Sequence, residues 1–354
     1  MRYANNDGIF NCLFQKMHFF LPLIFFLINF AVFKRQTDME SKYTVGVDLG
    51  GTNTVYAVVD ADGNIVEKDS FPTVTPTVEV WADMLATEIT LMIDRNNLKG
   101  QIAGVGIGAP SANATSGCIE GATNLPWAPP IPLAAMMEHR LHLPVSINND
   151  ANAAALGERA YGVAKGMDNF IVITLGTGVG GGVVCNGHLL CGSRGFATEL
   201  GHITFPFAKG RMCGCGREGC LETVASARGV VETARKMMAE SDTPSILRDV
   251  DERFLSSKMI AEAAMAGDEI GKAVFDFTGS CLGKAAAEYA AFTDPDAIIL
   301  FGGVAKAGKL LTMPMKEAFE ENVLHLYRGR VKILTSTLCD ADAAIIGAAS
   351  LPLI

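Results

Sequence analysis

Three cysteines and three glycines share the eight positions of CGCGREGC, residues 213–220, a short distance after a histidine that closes the phrase ELGH, residues 199–202. Cys213 and Cys215 stand two apart, Cys220 follows five later, and His202 completes a Cys3His set of the kind that holds tetrahedral zinc. Gly214, Gly216 and Gly219 let the chain wrap an ion and turn backbone N–H groups toward the sulfurs. Four protein ligands close such a site, so the ion would be structural, with no open position for chemistry. A disulfide framework fits poorly. The nine cysteines are an odd number, and Cys12, Cys118, Cys185, Cys191, Cys281 and Cys339 stand singly. The C-x-C spacing also differs from the C-x-x-C of thioredoxin-like sites. Redox work and reduced thiols without a task remain the weaker readings beside structural zinc.

Asp150 ends LPVSINND and opens the strongly helical ANAAALGE. It reads either as a helix N-cap, a position that prefers Asp and Asn, or as a carboxylate at a cleft edge that takes a proton from a hydroxyl during phosphoryl transfer. The helix dipole favours its charged form. Three glycine-rich turns accompany it. Gly176–Gly181 formally satisfies G-x-G-x-x-G, but a strand-like run follows where a dinucleotide site needs a helix. Asp48-Leu49-Gly50-Gly51-Thr52-Asn53 lacks the Gly-Lys-Ser/Thr ending of a P-loop. Each turn alone, including Gly302-Gly303 after the strand-like AIILF, reads as a tight bend. Together they favour nucleotide binding: glycine lets the backbone approach closely, and successive N–H groups form an anion-binding concavity. Asp48 would then hold magnesium through water.

The elements that must position these groups repeat themselves. YTVGVDLGGTNTVYAVVDADGNIV, from Tyr43, and FIVITLGTGVGGGVVCNGHLL, from Phe170, each run strand, Gly-rich turn, strand and turn. Helical patterns span 78–95, 151–161, 222–240 and 268–291, with strand-like GVGIGAP, PVSIN and AIILFGG between them. The pattern predicts an α/β protein of two lobes, each with a mixed sheet flanked by helices, and a cleft between them for small ligands. With 354 residues, 49% of them hydrophobic, the chain is long enough for two such units. A formal charge of −9 lacks the basic footprint of a nucleic-acid binder.

Residues 19–33 form an apolar run of 15, interrupted only by Asn29 and containing Pro22, which stops at Lys34 and Arg35. It is shorter than the roughly 20 residues of a spanning helix, and it lacks the small-residue exit of a signal peptide. Translation from Met39 is the expectation, with a membrane anchor as the alternative. Nothing downstream is long and apolar enough to span a bilayer. The expected organisation is an extension at 1–40, a first lobe at 41–160 completed by a C-terminal helix within 341–354, and a second lobe at 161–340 carrying the zinc loop 202–220.

DLGGT, NND, TLGTGVGGG, ELGH, CGCGREGC and LFGG, taken together over residues 43–354, resemble the ROK family of sugar kinases and repressors, in particular its glucokinase branch. The resemblance implies an actin-like, hexokinase-type fold closing around sugar and ATP, and ATP-dependent phosphorylation of the 6-hydroxyl of D-glucose. It makes Asp150 the catalytic base. Asn149, Glu199, His202, Glu222 and Asn124 of NLPW become sugar contacts. Gly50, Gly51, Thr52, Asn53, Gly176, Thr177 and Gly178 would cradle the phosphates, Asp48 would hold Mg2+, and Gly302 and Gly303 would admit the base. One ring nitrogen of His202 would bind zinc while the other meets a sugar hydroxyl. A homodimer is typical of the family, and a cytoplasmic location is the expectation. Other hexoses (N-acetylmannosamine, N-acetylglucosamine, mannose, fructose) are the alternative substrates. A sugar-responsive regulator is the remaining alternative, disfavoured because the residues ahead of Tyr43 are apolar and unlike a winged helix-turn-helix. One departure stands out: where many relatives carry Pro-Gly, this chain reads Ala109-Pro110-Ser111-Ala112-Asn113.

Overall fold

The computed structural model describes residues 42–121, 125–338 and 340–353 of the chain. The extension at 1–40, with its apolar run, and Asn124 lie outside the described residues.

Strands β1 (Tyr43–Leu49), β2 (Asn53–Asp60) and β3 (Ile65–Pro72) form an antiparallel meander. Helix α1 (Val78–Arg95) then leads to β4 (Ile102–Gly108), which pairs parallel with β1. A small hairpin, β5 (Ala112–Asn113) and β6 (Cys118–Ile119), precedes helix α2 (Leu133–Leu141) and β7 (Val145–Asn148), which pairs parallel with β4. The sheet order is β3-β2-β1-β4-β7. Helix α3 (Asp150–Tyr161) crosses to the second half.

There β8 (Phe170–Leu175), β9 (Val179–Cys185) and β10 (His188–Leu189) repeat the meander, and β11 (Ala297–Phe301) and β12 (Lys332–Thr335) add in parallel. The order β10-β9-β8-β11-β12 matches the first sheet strand for strand, so the echo between residues 43 and 170 is a structural duplication. Helices α4 (Glu222–Ala225), α5 (Ala227–Glu240), α6 (Ser257–Met265) and α7 (Glu269–Thr293) fall between β10 and β11. Helix α8 (Lys309–Asn322) precedes β12, and α9 (Asp340–Ala349) closes the chain.

The pattern predicts one helix over 222–240, and the structure divides it. Ser226 is extended (ψ 166°), and its side chain accepts from the Gly229 N–H, ending α4 and capping α5. The four-residue α4 is thereby set apart between the cysteine-rich segment 213–220 and a true helix.

Both sheets are covered on both faces, as parallel strands require. Val45, Val47, Leu49, Val105 and Ile107 share a core with Trp81, Leu85, Ile89 and Met92 of α1, whose spacing forms one apolar helix face. On the opposite face α9 lies on the sheet itself. A Cβ on Gly46 would sit 2.0 Å from the Ile345 carbonyl oxygen, and one on Gly106 would sit 1.8 Å from that of Ala348. Helix α3 approaches the second sheet in the same way, across Gly182, where a Cβ would meet Ala155 Cβ at 2.6 Å. The mid-strand glycines are therefore the surfaces on which the two crossing helices rest.

Register places the chemistry. Asp48 pairs with Gly108, and Gly108 with Asn148, so the ends of three parallel strands line up along one sheet edge. In the second sheet Phe301 pairs with Thr174, which brings Gly302 beside the start of the 176–178 turn. Ligands of open α/β sheets gather at such carboxyl ends.

Candidate active site and metal centre

Asp150 is not the helix cap that its sequence position allowed. Asn149 takes that role, its Oδ1 accepting the Asn152 N–H at 2.7 Å. The buried Asn148 braces the corner: its Oδ1 accepts from Asn152 Nδ2 and from the Asn149 N–H, each at 2.9 Å. Asp150 is left at the first helical position, exposed, with Oδ1 accepting the Ala151 N–H at 2.9 Å. The positive end of the helix dipole faces this carboxylate.

Asp48 stands within electrostatic reach. Desolvation, with the Asp150 charge second, pushes its pKa up to about 6. Glu199 is also raised, first by desolvation and then by Asp150 and Glu222, with His202 opposing. Its carboxyl reaches solvent at the surface, yet enough of it faces protein for burial to dominate. Residues from both halves thus gather negative charge in one place: Asp48 and Asp150 from the first, Glu199 and Glu222 from the second.

The two hairpin turns are held differently. In the first, the Gly50 N–H donates to Asn53 O at 3.1 Å. Beneath it runs a buried relay: Trp81 Nε1 donates to Thr54 Oγ1 (2.8 Å), Thr54 and Thr73 hydroxyls meet at 2.9 Å, and Thr73 Oγ1 donates to Gly50 O at 2.7 Å. Thr52 and Asn53 are exposed at the tip, and Gly51 is half-buried. In the second, the Gly176 N–H donates to Gly178 O at 3.0 Å, while Gly176 and Thr177 are exposed. The Val179 N–H donates to Glu222 Oε2 at 3.0 Å, and the Ala227 N–H donates to Gly176 O at 2.9 Å. Gly302 has φ +99°, a conformation glycine favours, and a Cβ there would lie 2.8 Å from Leu175 O. Gly303 opens a short 3-10 helix with free space around it.

His202, Cys213, Cys215 and Cys220 offer ligand atoms that all lie within 4.8 Å of one another. His202 Nδ1 is 3.6 Å from Cys213 Sγ, and Cys215 Sγ is 3.7 Å from Cys220 Sγ. A tetrahedron with Zn–S bonds of about 2.3 Å has edges of about 3.8 Å, so the donor set and its spacing fit zinc. Nδ1 faces the sulfurs, which leaves Nε2 for another partner. The Arg217 backbone N–H is the first cause of a lowered Cys215 thiol pKa. Burial pushes the Cys213 thiol up to about 12, so an ion must displace its proton. That thiol also lies 3.4 Å from Glu222 Oε1.

Sequence reasoning missed three features. A cavity of about 770 Å³ opens beside Thr177, lined by Arg211, Ser226, Arg228, Glu232 and Arg235 among others. These residues carry no motif, because the cavity forms between segments distant in sequence: the Thr177 turn, residues 210–214, the α4–α5 junction and residues 255–257. The Trp81–Thr54–Thr73 relay was also hidden, since hydroxyls inside a strand pattern look like ordinary β-formers. The third is Asn113, which is buried and whose Nδ2 donates to Arg194 O (2.7 Å) and Glu120 Oε1 (3.0 Å), tying the 109–113 loop to the segment ahead of Glu199. In that loop Ser111 holds φ +53°, a left-handed position that favours glycine, so the turn survives the departure from Pro-Gly.

The ROK family model matches residues 44–353. A glucokinase of Halalkalibacterium halodurans is 38% identical over 316 residues, covering 87% of this chain and 94% of that protein. The crystal structure of a ROK family glucokinase from Streptomyces griseus in complex with glucose and AMPPNP superposes with a TM-score of 0.70 at 34% identity, covering 87% of this chain and 98% of that one. A ROK hexokinase from Thermus thermophilus superposes with a TM-score of 0.72 at 29% identity, covering 88% and 98%. With two matched sheets, a Cys3His loop beside them and a family match over nearly all the described residues, the chain belongs to the ROK family.

Proposed function

We propose that this protein is an ATP-dependent glucokinase that transfers the γ-phosphoryl group to the 6-hydroxyl of D-glucose. The observation that carries the reading is the convergence of Asp150, at a helix N-terminus, with Asp48 from its own sheet and with Glu199 and Glu222 beside the Cys3His centre. The similarity to glucokinases adds the substrate class.

Asp150 takes the proton of the 6-hydroxyl as its oxygen bonds to the γ-phosphorus and the bond to ADP breaks. Asn149, Glu199, His202 through Nε2, Glu222 and Asn124 orient the sugar. Gly50–Asn53 and Gly176–Gly178 present N–H groups to the phosphates, and Gly302 and Gly303 line the nucleotide's path. The cavity beside Thr177 accommodates the remainder of the nucleotide, with Arg211, Arg228 and Arg235 supplying positive charge. Asp48 would hold magnesium, which would supply positive charge against the phosphates. His202, Cys213, Cys215 and Cys220 would hold zinc, which would brace His202 and supply no catalytic step.

The lobes divide as 41–160 with the C-terminal helix, and 161–340. Closure over the sugar excludes water that would otherwise accept the phosphoryl group. The protein works as a homodimer in the cytoplasm, without nucleic acid; ATP supply and the free thiols of Cys118, Cys185 and Cys191 suit that compartment. Among the described residues no helix is long and apolar enough to cross a membrane. The test is ADP release by purified protein given ATP and each of glucose, mannose, fructose, N-acetylglucosamine and N-acetylmannosamine. Highest kcat/KM with glucose supports the reading; preference for an N-acetylated sugar reassigns the substrate, and no turnover with any hexose overturns it.

A further inference from the structure

The segment from Glu222 to Ala227 grips the Gly176–Val179 turn at both ends. At one end the Val179 N–H donates to Glu222 Oε2 at 3.0 Å; at the other the Ala227 N–H donates to Gly176 O at 2.9 Å. Contact is close enough that a Cβ on Gly178 would lie 2.5 Å from Glu222 Oε2. Between these two bonds lies only the four-residue α4 and Ser226.

The same segment grows directly out of the metal-ligand loop. Cys220 is two residues ahead of Glu222, and its carbonyl accepts from the Thr223 N–H (3.0 Å) and from Thr223 Oγ1 (2.7 Å). The Leu221 N–H donates to Ile203 O at 3.0 Å, the residue after His202. Two ligands of the Cys3His set therefore fix the start of the clasp, and the clasp fixes the turn. Without an ion the loop keeps backbone bonds such as Cys213 N–H to Arg217 O and Phe205 N–H to Gly219 O, each at 2.9 Å, but loses the four-way tie between His202 and the three sulfurs, and the freedom gained passes to whatever the loop supports.

We propose that the Glu222–Ala227 clasp transmits metal occupancy to the Gly176–Val179 turn, so that nucleotide affinity, as well as sugar binding, depends on the loaded Cys3His centre. Glu222 and Ala227 act here as positioning residues for the turn. The inference rests on the kinase reading for the statement that this turn meets phosphate, but the mechanical link does not.

Ala227→Pro tests the link most cleanly. Ala227 is the first helical residue of α5, and Ser226 before it is extended at φ −76°, ψ 166°, which suits a following proline. The substitution removes the N–H that bonds Gly176 O and leaves every metal ligand and carboxylate in place. Hydrogen exchange on intact protein, followed by peptide analysis, reads the 176–179 amides with no nucleotide present. The expected result is faster exchange there in Ala227→Pro, in Glu222→Ala and in chelated wild type, with the amides of residues 50–53 unchanged. Affinity for a non-hydrolysable ATP analogue, measured by calorimetry, should fall about five- to tenfold in each, as expected for loss of one ordering hydrogen bond. Unchanged exchange at 176–179 in both chelated protein and Ala227→Pro would overturn the proposal. So would changed exchange with unaltered analogue affinity. Failure of loaded wild type to bind the analogue at all would count against the kinase reading, whereas the exchange result would still decide the mechanical link.

Discussion

Asp48→Asn should make the protein more stable while it removes function. Burial, and secondarily Asp150, raise the Asp48 pKa from 3.8 to about 6. A rise of roughly two units corresponds to about 3 kcal/mol. Because the side chain is only half-buried at the surface, screening reduces the usable figure to about 1–2 kcal/mol. The direction follows from proton linkage. Between pH 3.8 and 6 the folded protein holds a proton on Asp48 that the unfolded chain has released, so stability falls as pH rises through this window. The penalty is complete above about pH 6 and shrinks toward zero as pH falls to about 4. An amide of the same shape carries no such penalty. Thermal unfolding of protein free of nucleotide and magnesium should show Asp48→Asn melting about 1–3 °C above wild type at pH 8, with a smaller gain at pH 5. Turnover should be lost at both. A variant less stable than wild type at pH 8, or a gain independent of pH, would refute the claim that Asp48 is a desolvated carboxylate kept for binding rather than for folding.

Three further outcomes are expected. Thr73→Val removes the hydroxyl that donates to the Gly50 carbonyl and leaves Thr54 Oγ1 with its bond from Trp81 Nε1 but no acceptor for its own proton. It should lower unfolding free energy by about 1–3 kcal/mol in a denaturant titration and weaken nucleotide binding; an unaffected affinity would detach the relay from the first turn. Cys213→Ser should lose bound zinc, measured by elemental analysis, and bind glucose at least about tenfold more weakly in calorimetry. A metal-free preparation with unchanged glucose affinity would contradict the bracing role of the centre. Gly106→Ala places a Cβ 1.8 Å from the Ala348 carbonyl, so α9 must shift; a loss of about 1–3 kcal/mol is expected, and a neutral result would mean that the helix does not rest on the sheet as described.

The parts of this structure legible in the sequence were those set by local chemistry. Turn residues and apolar runs announced both meanders, and the spacing of His202 and the three cysteines announced the Cys3His cluster. Helix α1 matches its apolar period residue for residue, because Thr77 caps it and no competing signal interrupts it. What escaped depends on tertiary contact. Ser226 sits inside a sequence that reads as continuous helix, and the break shows only in the structure, where Ser226 caps α5 and the Ala227 N–H bonds the Gly176 carbonyl. Asn149 and Asp150 are equally good caps by type; the bracing of the corner by buried Asn148 and Asn152 decides between them. Gly46 and Gly106 look like poor strand residues until α9, remote in sequence, is seen lying on them.

The central claim is that Asp150 takes the proton of the sugar hydroxyl. Single-turnover phosphorylation of glucose by Asp150→Asn, measured beside glucose binding by calorimetry, tests it most directly. Loss of phosphoryl transfer by three orders of magnitude or more, roughly the scale of a missing general base and its charge, with glucose affinity within about threefold of wild type, is the predicted result. Transfer near the wild-type rate, or loss explained entirely by failure to bind glucose, would contradict it.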